Sequence, residues 1–120
     1  MRKITRGAAV LAAAAATVTV LGATQAHAEG VHGCPVGAVC VYPGSDYNND
    51  HPSLAFYSYG AHNLSGQLGT HMVVNNQYGG AKASLWSGYN GTGYVLDILS
   101  EGAAYLENLT PVNSISLDRP

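Results

Sequence analysis

Beyond Val39 the sequence is broken into short apolar and aromatic runs by Gly, Asn, Ser and Pro, and no stretch of helical length carries an amphipathic period. A chain patterned this way has no helical face to bury. It must build its core from alternate residues of short strands, which predicts an all-β domain. The strand candidates are residues 39–42, 54–59, 72–74, 83–86, 94–99 and 112–117. In the last, Ile115 and Leu117 fall on one face and Ser114 and Ser116 on the other, the alternation of a half-buried antiparallel strand. Pro43-Gly44-Ser45-Asp46, Asn75-Asn76, Gly79-Gly80 and residues 87–93 have the composition of turns. Trp86 is expected to anchor the core, and the segment holding Glu101 and Glu107 to be a solvated loop. The pattern runs twice, over about 39–84 and about 85–117. Each half offers an aromatic strand, a Gly-rich hairpin, a second strand, a loop and a closing strand with serine, which predicts two packed Greek keys.

The N-terminus sets the compartment. Arg2, Lys3 and Arg6 precede an apolar run over residues 7–23, and Ala26-His27-Ala28 follows as a small-x-small site. That order predicts a secretory signal peptide over 1–28, cut between Ala28 and Glu29. A membrane anchor is the rival, but the run is Ala-rich, only just of spanning length and without a basic flank beyond it. The domain is then 29–120, 92 residues, enough for one core. It keeps two cations, Lys82 and Arg119, against seven carboxylates, which is five net negative charges. So few cations cannot neutralise a row of phosphates, which excludes nucleic acid and, after cleavage, anionic membrane as partners.

Cys34 and Cys40 are the only cysteines. Outside the cell such a pair is most simply a disulfide; a metal site including His32 would need further ligands. The run Cys34-Pro35-Val36-Gly37-Ala38-Val39-Cys40-Val41-Tyr42 resembles the Cys-Pro-x-Gly-x-x-Cys-x-Tyr opening of small secreted actinobacterial proteins with a βγ-crystallin fold, classed with the metalloproteinase inhibitors. His62-Asn63-Leu64-Ser65 is similar to that family's short Asn-Leu loop, and Ala83-Ser84-Leu85-Trp86 to its Ser-Ser-Trp segment. The resemblance implies a βγ-crystallin-like sandwich and a non-catalytic protein that binds an extracellular protease. The family's calcium motif, Asn/Asp-Asn/Asp-x-x-Ser/Thr-Ser, is degraded here to Gly80-Ala81-Lys82-Ala83-Ser84-Leu85 and Thr110-Pro111-Val112-Asn113-Ser114-Ile115. Without the paired acidic or amide positions, no tight calcium site is expected. The family's inhibitory loop is braced by a further disulfide, and no cysteine follows Cys40, so the resemblance assigns no inhibitory loop. Residues 68–73 carry apolar side chains that a thermolysin-like pocket accepts, though loop plus core strand is the plainer account of them.

Other chemistry finds little support. The serines, His51, His62, His71 and the carboxylates Asp46, Asp97, Glu101 and Glu107 include no nucleophile elbow and no His-x-x-x-His pair, so neither an enzyme, a zinc site nor any cofactor is expected. Asn63, Asn90 and Asn108 open glycosylation acceptor triplets, which matter only in a cell that glycosylates. Eight tyrosines and one tryptophan among Asn and Gly form a binding-surface vocabulary. Tyr42, Tyr47, Tyr57, Tyr59, Tyr89 and Tyr94 are candidates to line a sugar or protein contact, with corner packing as their plainer role. The expectation is thus a secreted, monomeric peptidase inhibitor; the alternative is a carbohydrate- or cell-surface-binding module of the toxin-like kind.

Overall fold

The computed structural model describes residues 30–120. The leader and the Ala28/Glu29 cut therefore lie outside the described residues. Eight strands follow in chain order: β1 (Val39–Val41), β2 (Leu54–Phe56), β3 (Gly60–Asn63), β4 (Thr70–Asn75), β5 (Lys82–Trp86), β6 (Val95–Leu99), β7 (Ala103–Asn108) and β8 (Ser114–Asp118). The domain is all-β, and every strand pairing is antiparallel.

The strands form two four-stranded sheets, ordered β2-β1-β4-β7 and β3-β8-β5-β6. Renaming β1–β4 as β5–β8 turns the first order into the second, so the halves are topologically equivalent and each sends its third strand to the other's sheet. Matching signals recur in sequence. Tyr47-Asn48 and Tyr89-Asn90 occupy the two first hairpin loops, with Asn48 and Asn90 at positive φ. Asn63-Leu64 and Asn108-Leu109 end the two third strands, and both leucines drop into the core. The expected junction at Ser84/Leu85 falls inside β5; the first half ends with β4, and the Ala83-Ser84 segment opens the second half.

Between the sheets lie Val39, Val41 and Val73 from one side and Ala83, Leu85, Leu99, Ile115 and Leu117 from the other, closed by Leu64, Leu109 and Val112. The outer faces are covered in part. On the first sheet, Cys34, Ala38, Cys40, Tyr42 and Val74 form a second buried cluster under the N-terminal segment. On the second sheet, the β5–β6 loop folds back over Ser114, whose hydroxyl donates to the Gly88 carbonyl (2.6 Å) and accepts from the Gly91 N–H (2.9 Å).

Several sequence readings are corrected. Ser114 and Ser116 are buried rather than solvent-facing, because the loop and Trp86 cover them. Trp86 is not the core anchor: the pleat sends Leu85 inward and Trp86 outward, half-buried, with its indole N–H donating to Ser116 Oγ at 2.8 Å. The expected strand over 54–59 stops at Phe56, and residues 57–59 cross to the other sheet. His62 lies in β3 and Glu107 in β7, two strands read from sequence as loops.

Candidate functional site

Cys34 and Cys40 form the expected disulfide, with Cα atoms 5.8 Å apart and both residues fully buried. His32 takes no part in it. Its Nδ1 lies 2.9 Å from Asp50 Oδ1, and its ring stacks on Tyr47 at 3.6 Å. Beneath it the Tyr42 hydroxyl donates to the His32 carbonyl at 2.6 Å. Burial, and then the charge of Asp50 and the neighbouring Tyr47, push the Tyr42 phenol up to about 12. Tyr42 and Tyr47 thus clamp the N-terminal segment onto the first sheet. Tyr47, His32 and Val31 also border a cleft of about 500 Å³ with Gly102, Ala103 and Ala104.

Residues 68–73, the apolar stretch noted in sequence, divide between two roles. His71 and Val73 are buried in β4, whereas Leu68 stands 72% exposed at the end of the loop over residues 64–69. That loop is braced without a disulfide. The Leu64 N–H donates to the Asn113 carbonyl (2.9 Å), the Gly69 N–H to Thr110 Oγ1 (2.8 Å), and the Leu109 N–H to the Gly69 carbonyl (2.9 Å). His71 Nε2 lies 3.0 Å from the Leu68 carbonyl, and the buried Leu64 and Leu109 anchor the loop from below. Hydrogen bonds with residues 109–113, and no cross-link, hold this loop.

Of the candidate tyrosines, Tyr57 and Tyr59 are brought together, and a third, Tyr78, joins them. With Gln77 and Gly37 they line an open cleft. Tyr89 and Tyr94 stand apart, exposed in the β5–β6 loop. Gln77 and Tyr78 carry no local signal of this role, because nothing in their own stretch of sequence ties them to residues 57–59.

Glu101 and Glu107, expected as solvated charges, are half-buried, whereas Asp97 is exposed. Asp97 on β6 and Glu107 on β7 belong to different sheets, and residues 100–102 join the two strands. Burial first, then hydrogen bonding to the Asp97 side chain and the charge of Asp97, push the Glu107 carboxyl up to about 7. Glu101 instead accepts a bond from the Gly80 N–H (3.0 Å).

The histidines are dispersed. His51 Nδ1 lies 2.7 Å from the Asn49 carbonyl, His62 stacks on Phe56, and His71 Nδ1 lies 2.6 Å from the Tyr42 carbonyl. Among the described residues no group of three or more His, Cys, Asp or Glu is placed to hold a metal ion. The Ser84 hydroxyl donates to Asp118 Oδ2 (2.6 Å) and that of Ser114 to the Gly88 carbonyl. Compared with models of known protein families, with curated proteins and with solved structures, the chain shows no match to any of them.

Proposed function

We propose that this chain is an exported protein of two Greek keys, built on the βγ-crystallin plan, that inhibits an extracellular metallopeptidase by presenting the loop of residues 64–69. The Greek-key reading is supported by the exchange of third strands between equivalent halves and by the repeated Tyr-Asn and Asn-Leu pairs. The disulfide at the head of the domain is of the sort formed outside the cytosol, which agrees with a cleaved leader.

One observation carries the inhibitory reading: Leu68 is presented outward on a loop tied down at both ends. An inhibitor that competes with substrate must offer an apolar side chain without a large ordering cost on binding. A thermolysin-like pocket takes a large aliphatic side chain, and the bonds from Asn113, Thr110 and Leu109 hold the flanks of Leu68 before any encounter. The acidic balance of residues 29–120 argues against nucleic acid and anionic membrane as targets and leaves a protease open.

The test is hydrolysis of a short peptide by a panel of thermolysin-like and other secreted proteases in the presence of the purified protein. Slowing of a metallopeptidase at micromolar protein, weakened about tenfold or more in Leu68→Asp, is the expected result. No slowing of any protease overturns the reading. Equal slowing by Leu68→Asp moves the contact away from this loop.

A further inference from the structure

The cleft between Tyr57, Tyr59 and Tyr78 lies away from the proposed inhibitory loop. Residues 57–59 precede β3 and residues 64–69 follow it, so the two features sit at opposite ends of that strand, roughly 13 Å apart at the usual rise per residue. Three segments distant in sequence build the cleft: the turn before β1 gives Gly37, the sheet crossing gives Tyr57 and Tyr59, and the β4–β5 connection gives Gln77 and Tyr78.

Gln77 is held rigidly. Only 7% exposed, its side-chain amide donates to Asn75 Oδ1 and to the Lys82 carbonyl, both at 3.0 Å, and its backbone N–H donates to Asn75 Oδ1 as well. Both amide hydrogens are thereby used. Among the described residues no donor reaches its Oε1, so a fixed acceptor remains in a residue that lines the cleft. A buried acceptor of this kind favours an occupant with a hydroxyl or N–H to give.

The three rings are exposed instead of filling a corner, at 62%, 44% and 68% for Tyr57, Tyr59 and Tyr78. The Arg119 guanidinium lies 4.3 Å above the Tyr59 ring, yet Arg119 does not line the cleft, so it steadies that ring from outside. No carboxylate or ammonium is among the lining residues, which disfavours an ionic ligand. Three phenol hydroxyls make the surface too polar for a purely aliphatic one. What matches is a ring with one C–H-rich face to lie on aromatic carbon and a rim of hydroxyls to bond Gln77 and the phenols.

We infer that the Tyr57–Tyr59–Tyr78 cleft binds a neutral sugar residue of a polysaccharide, with Gln77 Oε1 accepting from one of its hydroxyls. The cleft is open on one side, which lets neighbouring residues of the polymer run outward. This activity is separate from protease inhibition.

The experiment is affinity electrophoresis and pull-down of the intact purified protein on cellulose, chitin, a β-1,3-glucan and starch. Retention on at least one of them is expected, reduced about tenfold in Tyr57→Ala and in Tyr78→Ala. Tyr94→Ala, exposed outside the cleft, should bind like the parent, and thermal unfolding confirms that all three variants fold. Protease inhibition should be the same in the cleft variants as in the parent, so failure here is distinguishable from failure of the inhibitory reading. No retention on any of the four polysaccharides overturns the inference, as does equal retention by the cleft variants or equal loss in Tyr94→Ala.

Discussion

Glu107 is the residue whose environment departs furthest from what its type suggests. It holds its proton up to about 7 because it is partly buried beside Asp97. Between its ordinary value of 4.5 and about 7 the folded chain binds more protons at this site than the unfolded chain does. The pair's contribution is therefore fully present below that window and is lost as pH rises through it. Urea unfolding should find Glu107→Gln more stable than the parent at about pH 8 and close to it at about pH 4. The gain should be on the order of 1 kcal/mol, since solvent screens a partly exposed pair. A parent and variant with parallel pH profiles would count against the pairing. Tyr42 makes a different test. Tyr42→Phe keeps the ring but orphans the His32 carbonyl, and should lower the unfolding free energy by about 1 kcal/mol, measured in the same way.

At the scale of elements, the β5–β6 loop is a clasp over the second sheet. Ser114→Ala removes one acceptor and one donor at once, leaving the Gly88 carbonyl and the Gly91 N–H without that partner. A loss of about 1–3 kcal/mol is expected, read as a lowered Tm with both sheets retained by circular dichroism. The first sheet has its own clasp, the N-terminal segment, and Gly33 is the tight point. At φ +79°, with the Asp50 carbonyl where a side chain would begin, Gly33→Ala should loosen residues 30–36 and raise their hydrogen exchange. Element identity was legible wherever a strand is central: β1, β4, β5 and β8 each carry the alternation or the β-branched run that two neighbours and a core demand. β3 and β7 were not legible. They are edge strands with one neighbour each, so Gly60, His62, Ala103 and Glu107 can be accommodated without an apolar stripe.

For the molecule as a whole, stability should rest on the inter-sheet core more than on the disulfide. Ile115→Ala, at a fully buried position shared by both sheets, should cost about 2–5 kcal/mol. Replacing both Cys34 and Cys40 by Ser should cost roughly 2 kcal/mol, because the loop closed is short. The ranking is checked by denaturant unfolding of both variants under identical conditions.

The sequence by itself determined the all-β class, the position of the disulfide and the inward face of the last strand, Ile115 and Leu117, because strand alternation, turn chemistry and a close cysteine pair are local properties. Only the tertiary structure decided that third strands are exchanged between halves, that Ser114 and Ser116 are covered, and that Trp86 faces outward. It also decided that Tyr78 joins Tyr57 and Tyr59, that Glu107 meets Asp97, and that the 64–69 loop is braced from residues 109–113. Most of these join segments far apart in sequence, and which distant segments meet depends on how the two sheets pack. The apolar pattern that closes the core is indifferent to which polar and aromatic groups that packing then brings together at its rim.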